Sequence, residues 1–215
     1  MAFFNDLVKS IAAIEEMDEI TVRGIGINVR EKGLISKGGR GLSAAKMSAQ
    51  DAANLLIGVN ASASSKEAAD CVEKYGMFKL KNANGLSVKG RDLLNEIWEN
   101  DISFGEFLAR LIVMSGPEQE KIEPLGEFIF NNVDFPKGGI SKADMCLKID
   151  RHISLEIVFI KGQSKAGLRF RDFQTRSTYA QLLFVGSGED YQGDRFDTTI
   201  FTQRTLRAVG NTIAK

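Results

Sequence analysis

Apolar residues recur at intervals of three and four up to about residue 114, and at every second position from Ile153 onward. These are the periods of a helix and of a strand, so the chain divides into a helical half and a sheet-forming half. The change of period falls at Gly116-Pro117, and all three prolines (117, 124 and 136) lie between there and Gly139. The expected fold class is α+β, with helices first, then a small antiparallel sheet, then a C-terminal helix. The expected organisation is a helical region over 1–115, a linker over 116–140 and an α+β domain over 141–215. A chain of 215 residues accommodates either one large domain or two small ones.

In the helical half, Phe3, Phe4, Leu7, Val8, Ile11 and Ile14 share one face of a first helix. Asp18 or Thr21 is placed to cap a second, in which Val22, Ile25 and Val29 recur at i, i+3 and i+7. Gly24 and Gly26 inside that helix predict either close packing against another helix or a turn. Gly33 ends it as the left-handed stop, with Leu34 and Ile35 folding back. Ser48 and Asp51 form a variant capping box for a helix whose stripe is Ala52, Leu55, Leu56 and Val59. Ser65 opens another, with Ala68, Cys71, Val72 and Tyr75 aligned. Residues 76–88 read as irregular around an Asn84-Gly85 turn. Two further helices span 90–114, and Trp98 on the first of them is expected in the core.

In the second half, Ile153, Leu155, Ile157 and Phe159 alternate, as do Leu168 and Phe170 with Arg169 and Arg171. Tyr179, Gln181, Leu183 and Val185 continue the series. Turns at Gly162 and around 174–177 make this an antiparallel meander. A brief strand at 198–201 then leads into a last helix with Leu206, Val209 and Ile213 on one side. That side is read as a dimer surface or as a cover for the sheet.

The chain carries no net formal charge, yet Thr21 to Met47 holds Arg23, Arg30, Lys32, Lys37, Arg40 and Lys46 against Glu31 alone. Six cations against one anion give a local net of +5, which points to a polyanion. Ser36-Lys37-Gly38-Gly39-Arg40-Gly41 is a basic loop with little side-chain bulk. Thr21-Val22-Arg23, then Gly33-Leu34-Ile35 and Gly39-Arg40-Gly41, resemble the recognition helix and wing of GntR-type winged-helix regulators. The resemblance implies a winged-helix-like N-terminal half, with Arg23 as a groove or phosphate contact and Arg40 in the minor groove. Ala44–Ser48, after the wing, does not read as a strand. The run Lys32–Val59 also resembles small phage or prophage proteins. The acidic cluster Glu15, Glu16, Asp18 and Glu19 would pair with part of the basic stretch or shield it.

A second basic face lies further on. Between Lys142 and Arg176 eight cations stand against four anions, and Arg169 and Arg171 point the same way from one strand. That face reads as a phosphate-backbone contact or as the solvent side of an amphipathic sheet.

Chemistry is harder to find. His152 is the only histidine, no Gly-x-Ser-x-Gly elbow presents a nucleophile, and no phosphate-binding Gly-Lys-Ser/Thr loop occurs. The carboxylates Glu189, Asp190, Asp194 and Asp197 are irregularly spaced and read as an exposed acidic loop. Cys71 and Cys146 read as small buried side chains in a reducing cytoplasm. No run approaches the roughly 20 apolar residues a membrane helix needs. No enzyme activity, cofactor or metal is expected. Two readings stand. One is a cytoplasmic, dimeric regulator that binds double-stranded DNA. The other is a phage module that binds a host protein complex without DNA.

Overall fold

The computed structural model describes residues 2–39, 44–116, 124–134, 153–161, 163–186 and 197–214. Eight helices and five strands occur among them, and seven of the helices precede four of the strands. The α+β expectation holds.

Helix α1 (Phe4–Ile14) buries Phe4, Leu7, Val8 and Ile11. Phe3, expected on that face, stands outside the helix. Its extended backbone bridges to Lys46, and its N–H donates to the Asp6 carboxylate at 2.9 Å. Helix α2 (Glu19–Glu31) starts at Asp18, which accepts the Thr21 N–H at 3.0 Å and thereby satisfies one orphan donor of the first turn. It ends as expected at Gly33, whose φ of +83° is the left-handed conformation that favours glycine. Close packing is the explanation for Gly26: a Cβ there would lie 2.7 Å from the Phe4 ring.

Helix α3 (Ala49–Ala61) is the hub. One apolar stripe was expected on it, but every residue from Asp51 to Ala61 except Asn54 is buried. Its small residues Ala53, Gly58 and Ala61 let neighbours approach from every side, and a helix apolar all round is a buried helix. It packs against α2, against α4 (Ala68–Gly76) and α6 (Phe104–Met114), and against the sheet.

The sheet has the order β1-β4-β3-β2-β5 and is antiparallel throughout. Strands β2 (Ile153–Ile160), β3 (Lys165–Asp172) and β4 (Thr178–Val185) form the expected meander. The β3–β4 turn is tied by Asp172, which accepts from the Tyr179 hydroxyl at 2.6 Å and from the Thr175 N–H at 2.6 Å. Those bonds, the tyrosine's foremost, hold its carboxyl down to about 2. Strand β5 (Thr198–Thr202) joins the β2 edge and runs directly into α8 (Gln203–Ala214).

Strand β1 (Lys79–Asn84) corrects the expectation of irregular chain over 76–88. Its sequence Lys-Leu-Lys-Asn-Ala-Asn has no apolar alternation. Pairing to β4, Leu80 opposite Phe184, makes it a strand, and lysines suit an edge position. Trp98, on α5 (Val88–Glu99), corrects another. It is 54% exposed and donates its indole N–H to the Leu80 carbonyl at 3.3 Å, guarding that edge instead of filling the core.

The inner sheet face meets the helices through Leu155, Ile157, Phe159, Leu168, Phe170, Leu182 and Phe184. Tyr75, Phe104 and Phe107 interlock with Phe159 and Phe184, and Phe78 with Tyr75, ring centroids 4.6–5.7 Å apart. Fully burying each such ring contributes about 1.5–3 kcal/mol. Residues from both halves belong to this one core cluster. The span read as a linker contains helix α7 (Pro124–Asn132), which packs on α5 and α6. Leu206 and Val209 of α8 are fully buried within the chain, and α8 lies against α1, α6 and the sheet. Of its two expected roles, this face takes that of a cover.

Candidate nucleic-acid interface

Helices α1 and α2 are joined by the four residues Glu15 to Asp18, with Glu16 in the left-handed region at φ +52°. The inner face of α2 packs on Phe4 and Leu55, so its outer face is presented to solvent. Ile20 is 78% and Ile27 43% exposed there, and nothing lies within 4 Å of where a Cβ on Gly24 would sit.

The segment after α2 is fastened to α3 at its base. Asp51 is the fastener: one oxygen accepts the Ser36 N–H at 2.7 Å, the other the Ser48 N–H and hydroxyl, each at 2.8 Å. Asn54 donates to the Leu34 carbonyl at 2.6 Å. On the return side, Lys46 bridges to Phe3, and the Met47 N–H donates to the Ala2 carbonyl at 3.0 Å. One isolated bridge therefore stands where no strand was read.

The predicted contact residues fall as follows. Arg23 is half-exposed and held between Asn5 Oδ1 at 2.7 Å and Glu19 Oε1 at 2.8 Å. Arg30, two turns on, lies over the Phe4 ring at 5.4 Å. Both arginines therefore reach the start of α1, on the same side of α2. Lys32 makes a 3.8 Å ion pair with Asp70, both well exposed, so it is worth about 0–1 kcal/mol. Lys37 donates to the Glu31 carbonyl at 2.9 Å, where a cation offsets the negative end of α2. Lys46 is exposed and has no side-chain partner among the described residues. Arg40 and Gly41 lie outside the described residues. The acidic cluster does little shielding: among the described residues only Glu19 of the cluster pairs with a cation, Asp18 is a helix cap, and Glu15 turns inward to Asn60.

The second basic face is engaged inside the protein. Arg169 and Arg171 converge on Glu156 of β2 at 3.3 and 3.5 Å, and that carboxylate side chain is only 7% exposed. Glu156 Oε2 and Arg169 Nε are buried without a hydrogen-bond partner, and Oε2 has the 3.3 Å ion-pair contact with Arg169 Nη2. Sequence reasoning missed Glu156 as their partner. The signal was a lone carboxylate inside Ile-Ser-Leu-Glu-Ile-Val-Phe-Ile. It also missed Asn5, Phe4 and Asp51 as the groups that position the basic stretch.

The remaining chemistry is sparse. Among the described residues no three His, Cys, Asp or Glu side chains gather in a way that could hold a metal ion. His152, Cys146, Glu189, Asp190 and Asp194 lie outside them, as do Gly162 and the cations 142, 148 and 151. Cys71 is half-buried, and burial pushes its thiol up, away from the reactive thiolate. Among the described residues no helix is long and apolar enough to cross a membrane. No family model, curated protein or solved structure matches the chain.

Proposed function

We infer that this chain is a sequence-specific regulator of transcription that binds double-stranded DNA. Helix α2 is the recognition helix and the basic stretch Ser36–Gly41 is the wing. The observation that carries this reading is the arrangement around Asp51. A two-helix unit with a four-residue turn presents the outer face of α2, and a basic glycine-rich loop is anchored beside it at both stems. The ties on Arg23, Lys32 and Lys37 are surface contacts, weak enough to yield to phosphates. The regulator acts in the cytoplasm as a homodimer, since two half-sites multiply affinity. A phage origin rests on the resemblance of Lys32–Val59.

One observation favours the second reading, a phage module that docks on a host protein. Ile20 and Ile27 form an exposed apolar stripe on α2. Such a stripe fits thymine methyls and also fits a protein groove. Salt separates the two. Binding to DNA flanking the protein's own gene, followed by fluorescence anisotropy, weakens steeply with salt if phosphates are neutralised. Binding that is absent, or insensitive to salt, gives the place to the protein-docking module.

A further inference from the structure

A cleft of about 340 Å³ opens between the α1–α2 turn and the start of α8. Its walls include Ile14, Met17 and Phe201, with Glu15, Asn60 and Arg204 as the groups able to recognise charge. Glu15 is the C-cap of α1, so its carboxylate sits at the negative end of a helix, the unfavourable end for an anion. Its support is thin. Asn60, itself buried, donates one N–H to the Leu56 carbonyl at 3.1 Å. That leaves one hydrogen to share between the two Glu15 oxygens, at 3.2 and 3.3 Å. Among the described residues, Glu15 forms no ion pair and neither does Arg204, although both line the same cleft. A carboxyl without a cation and an exposed arginine at the rim, in one cleft walled by Ile14, Met17 and Phe201 and by Thr199, Thr202 and Thr205, are complementary to a zwitterion. The volume is at the lower end of the roughly 300–1,000 Å³ typical of ligand pockets, which restricts the occupant to a small molecule.

We propose that this cleft binds a small apolar α-amino acid, its ammonium against Glu15 and its carboxylate against Arg204, with the side chain between Ile14, Met17 and Phe201. The site stands independently of the reading of α2. Burial pushes the Glu15 carboxyl up to about 7, as expected of an anion site lacking its cation. An ammonium seated there returns it to the ordinary carboxylate range.

The full chain is titrated calorimetrically with L-leucine at pH 7, in buffers of different ionisation enthalpy. Saturable binding with release of a fraction of a proton is expected, because Glu15 passes from partly protonated to ionised. Isoamylamine lacks the carboxylate and 4-methylpentanoate lacks the ammonium; each binds at least about tenfold more weakly. Glu15→Gln abolishes both leucine binding and proton release, and Arg204→Ala weakens leucine without changing isoamylamine. No heat with leucine or L-methionine up to about 10 mM overturns the proposal. So does leucine binding without proton release, or equal binding of leucine and isoamylamine. These comparisons use the unmodified protein and hold even if a variant fails to fold.

Discussion

The Asp51 carboxylate accepts the Ser36 backbone N–H at 2.7 Å across fifteen residues of chain, while it also closes the capping box of its own helix with Ser48. One buried side chain thus joins both stems of the basic loop to the hub helix. Asp51→Ala removes the cap and leaves the Ser36 N–H without its acceptor, a loss of roughly 2–4 kcal/mol. Ser48→Ala removes only a cap and costs roughly 1 kcal/mol. Urea unfolding of the two variants measures the gap. Equal losses would mean that the tie to Ser36 carries no energy.

Two glycines two residues apart on α2 should respond in opposite directions. A Cβ on Gly26 meets the Phe4 ring at 2.7 Å and Leu55 at 3.1 Å, both within the core, so Gly26→Ala overpacks and costs about 1–3 kcal/mol. Gly24 has nothing within 4 Å, and Gly24→Ala stabilises by about 0.5–1 kcal/mol through helix propensity. Denaturant midpoints that move the same way for both variants would contradict this packing of α1 on α2.

These residues show what the sequence carries and what it does not. The start of α2 at Asp18, its stop at Gly33 and the Ser48–Asp51 box were legible because a cap is a bargain among residues three or four apart. The strands β2, β3 and β4 were legible because alternation repeats along each of them. Strand β1 was not: nothing in Lys-Leu-Lys-Asn-Ala-Asn asks for extension until β4 lies beside it. The candidate site was legible only as a run of cations. Arg23, Arg30, Lys32 and Lys37 were read as one basic surface, but their holders, Asn5, Phe4 and Asp70, are set by tertiary packing. Arg169 and Arg171 were read as an outward pair because pairing register is invisible in one strand. In the sheet Glu156 lies directly opposite Arg169, and Arg171 reaches it from the neighbouring position on the same face.

Glu15 makes stability depend on pH in an unusual direction for a carboxylate. Its carboxyl is raised by burial to about 7 in the folded protein, against an ordinary value of 4.5. Between those values the folded chain holds a proton that the unfolded chain has released, so stability falls as pH rises. The contribution is fully present below about 4.5 and lost by about 7, a change of up to about 3 kcal/mol for this side chain. Glu15→Gln should flatten that slope and be the more stable protein at pH 8, as read from denaturant midpoints at several pH values. Parallel pH profiles for the two proteins would show that Glu15 is solvated.

The regulator reading assigns DNA contact to the cations around α2 and is tested by their separate effects. Arg23 and Arg30 sit on one side of the helix, two turns apart, and Lys37 is at its C-terminal end. Each phosphate neutralised adds about 0.9 to the slope of log affinity against log salt, so five such contacts weaken binding roughly a few hundredfold between about 50 and 200 mM. Lys37→Ala should reduce that slope by about one contact, at every DNA sequence alike. Arg40→Ala, at the expected tip of the wing, should instead cost roughly 1–3 kcal/mol on the specific site and little elsewhere. Arg23→Ala also breaks the ties to Asn5 and Glu19. Because these are exposed pairs, the variant should fold with a loss of no more than about 1 kcal/mol. Its DNA affinity is then read on a folded protein, with circular dichroism and a melting curve as the check. If the Arg23→Ala/Arg40→Ala double variant folds normally and binds specific DNA as tightly as its parent, α2 and the loop are not the reader. An Ile27→Glu variant would then be the one to try against a host protein, since a charge in that stripe disrupts an apolar docking surface.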